Sequence, residues 1–100
     1  MISMDVIRED LKDVRYYYMR KKMFDGNVKN TGVTAIQKKA ERYNSVMLNA
    51  PAKLYDLYIG LYIDGKTQSL YSAELGYCEK HIQKQNKQLL LFLQQNLKED

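Results

Sequence analysis

One hundred residues, 45% of them hydrophobic and carrying a formal net charge of +4, suit a single compact domain whose small core every element must share. There is no run of about eighteen apolar residues, and the opening MISMDVIRED lacks both a basic start and an apolar middle, so neither a membrane span nor a signal peptide is expected and the expected location is cytoplasmic. One cysteine, Cys78, and one histidine, His81, allow neither an internal disulfide nor a zinc site with the usual four ligands, and no cofactor or metal is expected.

The first pattern in the chain sets Ile7, Leu11, Val14 and Tyr18 at helical spacing, with Asp5, Arg8, Glu9, Lys12 and Arg15 between them, which predicts an amphipathic helix over about residues 4–24. The acidic row Asp5, Glu9 and Asp13 reads as favourable charge near the helix N-terminus and as pairing with Arg8 and Lys12. Further along, Tyr16-Tyr17-Tyr18 meets Arg20-Lys21-Lys22. Such a mixture can stack on bases and hold phosphates; the plainer reading is tyrosines lining helix contacts with wet hydroxyls beside solvated cations.

The segment DGNVKNTG, with two glycines and two asparagines, predicts a loop. After it Val33, Ile36, Ala40, Tyr43 and Met47 step by three and four, which predicts a second helix. Two helices joined by a short polar loop make an antiparallel hairpin over residues 1–49. Pro51 suits the first turn of a third helix and discourages helix at Ala50. Leu54, Leu57, Tyr58 and Leu61 give that helix its apolar stripe, and Asp64-Gly65 closes it, with glycine where a left-handed residue is needed. Thr67 is a predicted N-cap for a short helix ending at Leu75-Gly76, and a last helix runs from about Glu79 to Leu97. No alternating strand pattern and no solenoid repeat appear. The expected class is all-α with five helices.

On a wheel of about 100° per residue, Ile82, Leu89, Leu93 and Leu97 fall on one side of the last helix and Lys80, Gln83, Lys84 and Lys87 fall opposite. An apolar back and a Lys/Gln front fit a recognition helix, whose lysines meet phosphates or guanine edges while glutamine reads adenine. The alternative is a solvated face, because both residue types are good helix formers on any surface. The run Leu89–Leu93 is too apolar for one buried stripe, so Leu91 and Phe92 are expected to be covered by the hairpin or by a second copy of the chain. Cys78 and His81, three residues apart, have no recognisable orienting group or oxyanion site; no catalytic role is assigned and no enzyme is expected.

Residues 50–97 resemble region four of bacterial sigma factors. APAKLYDLYIGLYIDGKT supplies a proline-led helix and the Gly65-x-Thr67 corner, SLYSAELGY supplies the short helix with its Leu75-Gly76 turn, and the eleven-residue step from Gly65 to Gly76 matches that family's spacing. Three positions depart from the pattern: Cys78 in place of a Ser or Thr cap, Tyr71-Ser72 in place of Ile-Ala, and Asn86 near the apolar side. The first half, with YYYMRKK and AERYN ahead of the proline-led segment, is similar to small phage and mobile-element regulators of the RinA/ArpU type. These resemblances imply a transcription regulator with a helix-turn-helix module over residues 50–100, duplex DNA as its partner, RNA polymerase as a further partner, and a homodimer where half-sites are paired. The candidate DNA contacts are Thr67, Gln68, Lys80, His81, Gln83, Lys84 and Lys87, with Arg20, Lys21 and Lys22 as auxiliary contacts to phosphate or a partner. A competing expectation is a helical adaptor or anti-repressor without DNA affinity. Charge favours it, since residues 1–50 hold ten Lys/Arg against six Asp/Glu while residues 51–100 hold six of each. Clustering of lysine on one helix face opposes it.

Overall fold

In the computed structural model, which describes the backbone of residues 2–24 and 31–97 and the side chains of 2–21 and 35–97, the apolar periodicities become five helices. They are α1 (Met4–Phe24), α2 (Thr31–Met47), α3 (Ala52–Tyr58), α4 (Gln68–Leu75) and α5 (Glu79–Asn96). The described residues contain no strand. Residues 25–30 of the expected loop lie outside the described residues, and its last two residues, Thr31 and Gly32, already belong to α2. α3 runs without a break into a π-helical stretch, Ile59–Ile63, that the 3.6-residue pattern did not anticipate. Pro51 precedes α3, and its carbonyl accepts from the amides of Leu54 and Tyr55, both at 3.0 Å.

The described residues share one apolar cluster. Ile7, Leu11 and Val14 of α1, Ala40, Tyr43 and Met47 of α2, Leu57 and Tyr58 of α3, and Ile82, Leu89 and Leu93 of α5 are all buried in it. Residues 1–49 and 50–100 therefore do not have separate cores. α1 lies against α2, the π-helical stretch and α5.

Polar side chains cross-link these helices at the edge of the core. The Tyr43 hydroxyl donates to Asp10 Oδ2 at 2.7 Å. Lys39 Nζ donates to Asp13 Oδ2 at 2.7 Å and lies 3.1 Å from Asp10 Oδ1. The Asp13 bond raises the Lys39 ammonium above its ordinary value, against a smaller opposing effect of burial. Asn44 Nδ2 donates to the Tyr18 hydroxyl at 2.7 Å while its Oδ1 accepts from the Tyr58 hydroxyl at 2.6 Å, so one amide joins α1, α2 and α3. Burial pushes the Tyr43 and Tyr58 hydroxyls well above the ordinary tyrosine value, and for Tyr43 the Asp10 carboxylate adds to the shift. Arg8 pairs with Asp5 and Lys12 with Glu9, as expected, whereas Asp13 turns to Lys39 on α2 instead.

Within the single chain, two apolar stretches pack more selectively than their spacing implies. Ile36 is only half-buried and lies outside the core cluster, whose α2 members begin at Ala40. Leu91 is 47% exposed; α1 covers Leu90 instead, which is 4% exposed, while Phe92 packs partly against the core. Neighbouring residues on a helix point about 100° apart, so a helix laid along one side of α5 hides one of the pair and leaves the other in water.

Leu57→Ala is expected to destabilise the protein by about 2–5 kcal/mol, since its side chain is fully enclosed, and Ile36→Ala by clearly less. Urea denaturation of the two variants checks the ranking. Stability should also depend on alkaline pH. The tyrosines of the unfolded chain lose their protons near the ordinary value of 10.0, while Tyr43 and Tyr58 in the folded chain keep theirs to higher pH. Their contribution is therefore complete below about pH 10 and is lost as pH rises through the raised values. Tyr43→Phe should flatten this alkaline decline in a denaturation series.

Candidate nucleic-acid interface

α4 and α5 are joined by a turn whose geometry follows from its residues. Thr67, in extended conformation, caps α4 by accepting from the Leu70 amide at 3.0 Å. At the other end Gly76 takes φ 75° and ψ 20°, a left-handed conformation that L side chains resist. The Tyr77 amide then donates to the Ser72 carbonyl at 3.0 Å and the Gly76 amide to the Ala73 carbonyl at 3.4 Å, the paired bonds of a Schellman ending. Cys78 occupies the cap position of α5 in extended conformation, and its thiol makes no cap bond.

Each of these helices is fixed from behind. A Cβ added at Gly60 would lie 2.4 Å from Cε1 of Tyr71, so the bare backbone of the π-helical stretch is what admits the Tyr71 ring of α4. Ser72, also buried, donates its hydroxyl to the Ser69 carbonyl at 2.8 Å. These contacts account for Tyr71-Ser72 at that place. Asn86 is explained similarly: its Oδ1 accepts from the Tyr62 hydroxyl at 2.7 Å, tying α5 to the π-helical stretch. Burial raises the Tyr62 hydroxyl above its ordinary value, against the lowering influence of Asn86, Arg15 and Arg8. The corner ahead of α4 is held from α1, where Arg15 Nη2 donates to the Gly65 carbonyl at 2.8 Å.

With Ile82, Leu89 and Leu93 buried, α5 leaves Lys80, His81, Gln83, Lys84 and Lys87 exposed to solvent. No carboxylate of the described residues pairs with Lys80, Lys84 or Lys87. His81 lies against the Tyr77 ring, centroids 4.7 Å apart, at the start of the helix. Thr67 and Gln68 stand apart from this row, in a cleft at the start of α4 that Arg15, Tyr62 and Lys66 also line. Lys66 is paired with Glu74 at 2.7 Å. Arg20 is drawn back onto its own helix, with its Nη1 donating to the Tyr16 hydroxyl at 2.8 Å and its guanidinium 5.6 Å from the Tyr16 ring centre. Lys21 is exposed, and the side chain of Lys22 lies outside the described residues. The tyrosines divide: Tyr17 and Tyr18 pack edge to face at 5.1 Å and touch the core, while Tyr16 is half-exposed.

Sequence reasoning missed Arg15, Tyr62 and Gly60 as supports of this region. The Arg15 and Gly60 contacts join residues distant in the chain, and the sequence carries no local signal for either. Asn86 was visible as a polar residue near an apolar face, although its partner was not. No known protein family, curated protein or solved structure matches the chain. Among the described residues no group of three or more His, Cys, Asp or Glu side chains is placed to hold a metal ion, and no helix is long and apolar enough to cross a membrane.

Gly60→Ala should cost about 1–3 kcal/mol, because the Tyr71 ring must move to admit a methyl group. In a double-mutant cycle with Tyr71→Ala the two losses should sum to more than the loss in the double variant, measured by urea denaturation.

Proposed function

We propose that this chain is a DNA-binding transcription regulator of phage or mobile-element origin, in which α4, the Gly76 turn and α5 act as a helix-turn-helix similar to region four of bacterial sigma factors. α5 enters the major groove of duplex DNA. The observation that supports this most directly is the division of α5 into two faces: Ile82, Leu89 and Leu93 are enclosed, while Lys80, Lys84 and Lys87 are exposed without carboxylate partners among the described residues and Gln83 stands among them. Unpaired lysines have no internal ion pair to break before meeting phosphate, and glutamine supplies the donor and acceptor that match an adenine edge. α4 braces α5 at the angle fixed by the Gly76 turn and by Tyr71 over Gly60. RNA polymerase is the natural further partner of such a regulator, and paired half-sites would call for a homodimer.

A second reading is a helical adaptor that binds protein instead of DNA. It is favoured by Leu70, Leu75 and Tyr77, large apolar side chains each about half-exposed on α4 and the turn.

Titration on duplexes selected from a random pool separates the two. Gln83→Ala should cost about 1–3 kcal/mol on the preferred site and little on random duplex. Lys84→Ala should weaken binding to all duplexes alike and lower the salt slope by about 0.9. Failure of the wild type to bind any duplex at low salt, together with retention of RNA polymerase that Leu75→Asp abolishes, would replace this reading with the adaptor.

A further inference from the structure

Three clefts along one flank of α1 adjoin one another. The first, at the start of α4, is lined by Arg15, Tyr62, Lys66, Thr67 and Gln68. The second, between α1 and α5, is lined by Arg8, Lys12, Tyr62, Asn86 and Leu90. The third lies beyond it and is lined by Met4, Arg8, Lys87, Leu90 and Leu91. Tyr62 belongs to the first two, and Arg8 and Leu90 to the last two, so the three form one groove.

Its α1 wall is a basic stripe. Arg8, Lys12 and Arg15 recur at steps of four and three, which puts them on one face of the helix. They follow the buried Ile7, Leu11 and Val14 by one residue each. Tyr62 shares the first cleft with Arg15 and the second with Arg8, so both guanidinium side chains lie along the same run of clefts. Arg15 Nε is buried and finds no acceptor among the described residues, although the same guanidinium holds the Gly65 carbonyl through Nη2. The carboxylates that meet Arg8 and Lys12, Asp5 and Glu9, lie among exposed side chains one helical turn back, and neither lines the groove. Exposed pairs of this kind hold their cations weakly and yield readily to a phosphate. Lys87 ends the groove and is also a member of the outward row of α5.

We infer that the groove between α1 and α5 is a track for a phosphate strand of duplex DNA, with Arg8, Lys12 and Arg15 contacting the backbone beside the strand that Lys87 meets. The inference rests on the reading of α5 as the helix in the major groove, and it makes α1 the second wall of that interface. Charge complementarity selects the occupant: the groove's cations outnumber its carboxylates, and phosphates repeating along a strand match cations repeating along a helix. These contacts fix position and supply affinity. They carry no base information.

The test is a fluorescence titration of a labelled duplex at several salt concentrations with three double variants, each checked for native helicity by circular dichroism. Glutamine is the replacement throughout, keeping side-chain length and helix preference while removing charge. Arg8→Gln with Lys12→Gln should lower the salt slope by about 1.8, two contacts at about 0.9 each, and weaken binding equally on preferred and random duplex. Lys38→Gln with Lys53→Gln, exposed on α2 and α3 away from the groove, removes the same charge and should leave the slope unchanged. Lys80→Gln with Lys84→Gln reports on α5 itself. If this last pair lowers the slope and the Arg8/Lys12 pair does not, the track is refuted while the α5 reading stands. Equal losses from the Arg8/Lys12 and Lys38/Lys53 pairs would also refute it, since the effect would then be one of overall charge. A wild type that binds no duplex overturns both.

Discussion

Burial of the Ile82, Leu89 and Leu93 face of α5 is the constraint around which the rest of the structure is arranged. A chain of this length supports one core, and α5 alone has no way to remove its apolar side from water. α1, α2 and α3 close over it together, and the residues they contribute come from both halves of the sequence. Once that face is fixed inward, helical periodicity leaves Lys80, Lys84 and Lys87 facing outward. The exposed row is a geometric consequence of core formation and needs no separate device to hold it.

Apolar packing tolerates sliding, so other contacts must set how the helices register. The Asn44 amide donates to Tyr18 and accepts from Tyr58, and Tyr43 and Lys39 meet Asp10 and Asp13. A shift of α2 by one turn would leave these groups buried or half-buried without partners, which costs more than the bonds themselves contribute. The Arg15 bond to the Gly65 carbonyl extends the same logic to the corner before α4. α1 thereby positions both helices of the proposed DNA-binding unit, one through the corner and the other through the core.

The helices and their ends were legible because they depend on local chemistry. Spacing of three and four located α1, α2, α3 and α5, Thr67 marked the start of α4 through its capping hydroxyl, and Gly65 and Gly76 marked endings through left-handed conformations that few other residues adopt so readily. Features that depend on which helix lies beside which were not legible. Leu90 and Leu91 have the same composition and adjacent positions, and only the placement of α1 decides which is covered. Ile36 fits the α2 stripe as well as Tyr43 does, yet it sits nearer the N-terminal end of the helix, outside the core cluster. Gly60 in the π-helical stretch is a third case, since the ring that leaves no room for a side chain there belongs to Tyr71, eleven residues further on. Of the candidate site, Lys80, His81, Gln83, Lys84 and Lys87 share an exposed face of α5, whereas Thr67 and Gln68 line the cleft at the start of α4, at the other end of the groove from Lys87.

That displacement bears on how a neutral second half could hold an anionic polymer. Residues 51–100 carry as many acids as bases, and Lys66 is already committed to Glu74. Three exposed lysines on α5 would account for a salt slope of only about 2.7, small for the DNA-binding role proposed above at physiological ionic strength. The surplus charge of the chain lies in residues 1–50, where the bases exceed the acids by four. Folding brings part of that surplus to the proposed interface, Arg8 and Lys12 at the flank of α5 and Arg15 at the corner before α4. Judged by sequence segments, the charge balance argues against DNA binding by the second half; judged by surfaces, it does not, because the basic groove is assembled from both halves and no carboxylate of the described residues lines its clefts.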